Sequence, residues 1–244
     1  MTPIQVMKSE HRLIETVVTS LGGVAAAIEQ GERIEVSRLE CAAEFLRVYT
    51  DKLHQGKEEA LLFPALVKRG VPPGGCPIGG MNHEHEKGRA LVQVLAEQAP
   101  VYGQNKPGAK DALLETLRGI LDLYQNHIWK EDAMVFPMAD KVLTPADQKE
   151  LSREFAEVDR AVGLDAIERL EQFARSLSTS ATSSSTSGAA SAGGCGHCRD
   201  HVSVDNRTSL ARRAGAGRLG SNAHRTQNAT VGPRYSPTAQ SGSE

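Results

Sequence analysis

The chain is 244 residues long with a formal charge of −2, and 39% of its residues are hydrophobic, enough for one domain with a sizeable core. The charge is uneven: the first 175 residues hold 21 of the 28 basic and 27 of the 30 acidic side chains, leaving seven arginines against three acids beyond them. No run approaches the ~18 apolar residues of a membrane span, and the later arginines lack the interleaved aromatics of a nucleic-acid-binding segment, so neither a membrane nor a nucleic acid is an expected partner.

The opening "MTPIQVMKSEHR" becomes charged before any apolar run develops, which, with only four cysteines, points to the reducing cytoplasm. Turn signals at Gly31, in "RGVPPGGCPIGG", in "QAPVYGQNKPGAK" and in "LTPADQKE" then divide the apolar part. Helices are expected over residues 3–30, 36–69, 79–99, 108–141 and 145–175, with Thr2, Ser37 and Thr144 near three of the starts. No Val/Ile/Thr-rich alternation persists, so no strand is expected. Long amphipathic helices on short connections predict an all-α fold: an antiparallel four-helix bundle with an additional C-terminal helix, over residues 1–175. Residues 176–244, opening with "SLSTSATSSSTSGAASAGG", have too little apolar surface to offset the entropy of ordering and are expected to form a disordered tail.

Periodicity decides which polar residues face the core. In the first segment Ile4, Met7, Ile14, Val17, Leu21, Val24 and Ile28 form one ladder, and His11 occupies the vacant rung. The second carries His54 and Glu58 one turn apart on one face, with Glu59 rotated away. In the third, "MNHEHEKGRALVQVL", His83 and His85 point about 200° apart. His85 shares its side with Ile78, Met81, Val92 and Leu95, so it faces inward and His83 faces water. In the fourth, the ladder Leu113, Leu117, Ile120, Tyr124, Met134, Met138 has its gap filled by His127 and Glu131.

The second and fourth segments share a phrase, "HQGKEEALLFPAL" from His54 and "HIWKEDAMVFPMA" from His127. Each has a histidine, a lysine three residues on, carboxylates at the next two positions and then Phe-Pro. One inward histidine is commonly a hydrogen-bonded core residue. Six ionisable groups in one core are another matter, because an unpaired buried carboxylate costs several kcal/mol or loses its charge. Two dications among four imidazoles and two carboxylates remove that conflict, each copy of the phrase supplying one terminal imidazole and one bridging carboxylate. The nitrogen and oxygen donors suit iron or manganese, whereas structural zinc favours a tetrahedron with cysteine. The Glu-x-x-His pattern of ferritin-like sites is missing, since Asp51, Asn82 and Tyr124 stand three before His54, His85 and His127. Pro64 and Pro137 leave two readings open: a kinked or loosened helix beyond the ligand turns, or a helix end at Phe63 and Phe136.

His11, His54-x-x-x-Glu58, His85 and His127-x-x-x-Glu131, in that order and with "KEEALLFP", "EHEKGR" and "KEDAMVFP" around them, resemble the bacterial hemerythrin-like (HHE cation-binding) family. The resemblance covers residues 3 to 141. It implies a non-haem di-iron centre of two iron ions held by His11, His54, Glu58, His85, His127 and Glu131. Oxygen-carrying members have two histidines four apart on the third helix; Met81 and Arg89 stand four either side of His85. One iron is then expected to take solvent or an extra carboxylate, Glu59 or Glu84. Those members also place the last carboxylate five after its histidine, which makes Asp132 the reserve for Glu131. The implied function is binding or sensing of dioxygen, peroxide or nitric oxide, with a peroxide-consuming, catalase-like enzyme as the alternative. A metal-free, partner-binding helical module is the third reading. In the tail, Cys195, His197, Cys198 and His201 form "CGHCRDH", a candidate for loose zinc binding, with no thioredoxin-like context for redox chemistry.

Overall fold

The computed structural model describes residues 1–182. Among them are six helices: α1 (Pro3–Glu29), α2 (residues 36–68), α3 (Ile78–Gly103), α4 (residues 109–142), α5 (Pro145–Val162) and α6 (Leu164–Thr182). No strand occurs among the described residues, and no helix is long and apolar enough to cross a membrane. The all-α bundle expected from the periodicity is what the described residues form. The Cys195/Cys198 segment and the expected disordered tail lie outside the described residues, apart from the end of α6.

Local chemistry explains most of the boundaries. Thr2 and Gln5 cap α1 reciprocally, side chain to backbone in both directions, with Pro3 in the first turn; Thr144 and Asp147 do the same for α5, with Pro145. Ser37 is not a cap: it lies inside the first turn of α2, and the N-cap residue Glu35 makes no side-chain bond there. α3 runs on past the expected end at residue 99 and carries Pro100 within it. Ala99 is fully buried there and Tyr102 packs on the same core, which holds the last turn despite the missing donor. The fifth segment is not one helix. Gly163 adopts φ +105°, a left-handed conformation that suits glycine, and divides α5 from α6.

Two apolar clusters fill the bundle, one on each side of a polar layer. α1 passes from Ile4 and Met7 in the smaller cluster, through Glu10 and His11, to Ile14 and Val17 in the larger. α2 runs the opposite way, from Phe45 and Leu53 through His54 and Glu58 to Leu62 and Leu66. α3 repeats the direction of α1, from Met81 through His85 to Val92, and α4 that of α2, from Ile128 through Glu131 to Val135. This alternation makes the four helices antiparallel neighbours, as short connections require. α5 and α6 pack on α1 and α2, where Leu151 and Phe155 join the smaller cluster and Leu170 and Ala174 the larger.

α2 and α4 are not α-helical throughout. α2 widens into π-helical turns over Leu46–Gln55 and Glu58–Leu62, and α4 over Glu131–Val135, before returning to α-helix at Phe63–Lys68 and Phe136–Val142. Pro64 and Pro137 have no N–H to offer the carbonyl four residues back. The N–H groups of Phe63 and Phe136 just before them donate five back, to the carbonyls of Glu58 and Glu131. The prolines therefore loosen each helix without ending it. A π turn takes in an extra residue, about 100° of helical rotation. In α4 this corrects the expected inward position Met134, which is 49% exposed, while Val135 and Ala139 are fully buried; Met138 is half-buried against the smaller cluster.

Candidate metal centre

Four histidines and two glutamates from α1 to α4 meet in the polar layer. His11, His54, Glu58 and Glu131 form one buried group, and Glu58, His85, His127 and Glu131 a second; in each, one donor atom per residue lies within 4.8 Å of the others. Both carboxylates belong to both groups. Glu131 Oε2 is 3.1 Å from His11 Nε2 and 3.3 Å from His127 Nε2. Glu58 Oε2 is 3.3 Å from His85 Nε2, and its Oε1 is 3.7 Å from His54 Nε2. His85 Nε2 and His127 Nε2 lie 3.2 Å apart. All four Nε2 atoms thus point toward the shared carboxylates.

Four of the inward atoms, His54 Nε2, Glu58 Oε1 and Oε2 and Glu131 Oε1, have no hydrogen-bond partner although buried. Leaving such groups unpaired is costly, and a cation among them supplies the missing partner. Each group offers two imidazole nitrogens and carboxylate oxygens, a donor set that fits a divalent transition metal. Cys41, buried in α2, and Cys76, exposed before α3, belong to neither group.

On the outer side every imidazole meets a carboxylate at Nδ1: His11 with Asp132 at 2.9 Å, His54 with Glu10 at 2.9 Å, His85 with Glu59 at 2.7 Å and His127 with Glu84 at 3.0 Å. A carboxylate accepting from Nδ1–H fixes the tautomer and leaves Nε2 as the free, more basic atom. Each of these carboxylates is held by its own cation: Arg12 on Asp132, Lys57 on Glu10, Arg89 on Glu59 and Lys130 on Glu84.

The repeated phrase now has a cause at each position. The lysine three after His54 or His127 clamps the carboxylate that orients that same histidine. The next residue, Glu58 or Glu131, enters both buried groups. The one after, Glu59 or Asp132, orients the histidine of a neighbouring helix, His85 or His11. The phenylalanine of Phe-Pro then stacks on that same histidine, with ring centroids 6.0 Å apart for Phe63 and His85 and 5.1 Å apart for Phe136 and His11.

Electrostatics in this layer are mixed. Burial works against charge on His11, but Asp132 and Glu131 outweigh it and raise the ring to about 9. His85 behaves alike: Glu58 and Glu59 overcome burial and raise it to about 9. His54 is driven well below its ordinary value by burial and by the neighbouring His11. Burial pushes the Glu58 carboxyl up to about 7, and the Glu131 charge adds to the push. Glu131 stays ionised: burial opposes its charge, but His127, His11 and His54 prevail.

All six residues read from the pattern as inward-facing are brought together, and His83 is exposed as the helical pitch requires. The reserve carboxylates Asp132, Glu59 and Glu84 lie outside both groups, on the Nδ1 atoms. The pattern alone does not single out Glu10 or Lys57. A signal was nevertheless present in the pairs Glu10-His11 and Glu84-His85, because adjacent residues point about 100° apart and a glutamate so placed reaches the next helix.

The model of the hemerythrin HHE cation binding domain matches residues 2–139, which include all six residues. A protein of Mycobacterium bovis and one of Mycobacterium tuberculosis, both named only as uncharacterized, are similar to this chain, each 21% identical over 147 residues. The aligned part covers 60% of this chain and 56% of each of theirs, so the chain spans little more than half the length of these relatives. No solved structure gives a match.

Proposed function

Because the chain belongs to the hemerythrin HHE cation-binding domain family, we propose that it is a non-haem di-iron protein that binds or senses dioxygen, peroxide or nitric oxide in the bundle core. The observation that carries this reading is the sharing of Glu58 and Glu131 between two groups of buried donors. His11 and His54 would hold one ion and His85 and His127 the other, with Glu58 and Glu131 available to both. A nitrogen and oxygen donor set suits iron or manganese, and membership of the hemerythrin family supports the choice of iron. Bound there, the ions supply an open coordination position and electrons to a small ligand.

The chain's own residues do the rest. Asp132, Glu10, Glu59 and Glu84 keep the protons on Nδ1 and aim Nε2 inward. Phe63 and Phe136 roof two of the rings, and the apolar clusters on both sides keep bulk water out. Such a site favours a small ligand of little charge over a large hydrated one.

Protein purified from iron-supplemented cells is expected to carry about two irons per chain and visible ligand-to-iron charge-transfer absorption, both lost in His85→Ala. Protein that takes up neither iron nor manganese, on purification or on reconstitution, would overturn the reading. Sustained oxygen release from peroxide would move it from binding to catalase-like turnover.

A further inference from the structure

The four outer ion pairs are alike in chemistry and unlike in burial. Arg12, Arg89 and Lys130 have side chains 55%, 36% and 32% exposed, whereas Lys57 is 1% exposed. The carboxylates follow suit: Glu10 is 8% exposed, against 27% for Asp132, 34% for Glu59 and 18% for Glu84. The cause is α5, which lies outside the part of the chain that matches the family. Its Asp159 Oδ1 is 2.7 Å from Lys57 Nζ, and its Phe155 ring lies under the same ammonium at 5.5 Å. Glu10 is thereby held at both oxygens, by Lys57 Nζ on Oε1 at 2.5 Å and by His54 Nδ1 on Oε2 at 2.9 Å. Beyond Glu10 and Asp159 opens a cavity of about 380 Å³ between α1, α2 and the C-terminal pair, lined also by Leu13, Tyr49 and Ile167.

We propose that Asp159 is a positioning residue of the metal centre, acting through Lys57 and Glu10 on His54, and that it makes the His11/His54 ion the more tightly held of the two. The inference rests on the two-ion reading above. A lysine buried between two carboxylates cannot swing into solvent, so Glu10 keeps one position and the His54 ring one orientation. At the other three histidines, His11 of the same ion among them, the clamping cation is exposed or half-buried and can exchange its partner for water, so His54 is the one anchored ring. Asp159 forms part of the cavity wall; once it is neutral, Lys57 loses one of its two anchors and the cavity admits water to the Glu10 pair.

The test uses the full chain loaded with ferrous iron and diluted into excess chelator, following iron release and the visible band together. Wild type is expected to release its ions in two phases. Asp159→Asn is expected to speed the slow phase on the order of tenfold, the lower end of the effect of outer-shell changes on metal affinity, and to leave the fast phase alone. Asp159→Glu should return the slow phase toward wild type. The control is Glu44→Gln, which breaks a second ion pair between the C-terminal pair and the bundle, Arg169 to Glu44 at 2.7 Å, at no histidine; it should release iron as wild type does. If Asp159→Asn matches Glu44→Gln, or speeds both phases equally, the positioning role is overturned while the two-ion reading stands. Wild type that retains no ion overturns both.

Discussion

Replacing Glu58 and Glu131 together by glutamine keeps side-chain shape and removes both shared carboxylates. Each is fully buried, and each replacement amide would present an NH2 that cannot ligate. A ligand held at a hundred times its dissociation constant stabilises the fold by about 2.7 kcal/mol per site, so two ions contribute about 5 kcal/mol. In a domain of this size each kcal/mol moves the unfolding midpoint by about 2–4 °C, which places the loss at about 10–20 °C. Under chelation the balance is different. The substitution relieves two buried carboxyls, with Glu58 already pushed up to about 7, while depriving His11 and His127 of Glu131. These effects oppose each other, so the chelated variant should unfold close to chelated wild type. The assay is thermal unfolding followed by circular dichroism, with iron and with chelator. Chelation should lower the wild-type midpoint to that of the double variant and leave the variant unmoved. A wild-type midpoint indifferent to chelation, or equal shifts in both proteins, would show that the carboxylates are buried for some other cause.

Other expectations follow from the same geometry. In chelated protein His11 and His85 are raised from 6.5 to about 9, so their contribution to stability is full below 6.5 and is lost as the pH rises through about 9. The midpoint of chelated protein should therefore fall on going from neutral to alkaline pH, and iron affinity should rise over the same range because binding displaces those protons; flat profiles would contradict the pairing. Asp132→Asn and Glu84→Gln each replace the carboxylate on one Nδ1 by a neutral amide, a weaker acceptor without charge, and should weaken iron binding about 10–100-fold in a competition titration. Phe136→Ala empties a fully buried site in the smaller cluster and uncovers His11; denaturant unfolding should show a loss of about 3–5 kcal/mol. His83→Ala, on the exposed side of α3, should leave iron content unchanged.

What the sequence determined by itself is what helical pitch and turn chemistry determine. The vacant rung at His11, the His54/Glu58 and His127/Glu131 pairs, and the opposite sides taken by His83 and His85 all follow from 3.6 residues per turn. The caps at Thr2 and Thr144 follow from their side chains. Three things were decided only by tertiary structure. The π turns before Pro64 and Pro137 shift the inward face by one residue, exposing Met134 and burying Val135, because packing selects which of two nearby faces is covered. The cross-helix pairs, such as His11 with Asp132, join residues 121 positions apart. The sealing of Lys57 comes from Asp159 and Phe155 on a helix that folds back beside it. A residue's direction on its own helix is local information, whereas its partner depends on the relative height and rotation of two helices, which neither helix encodes alone.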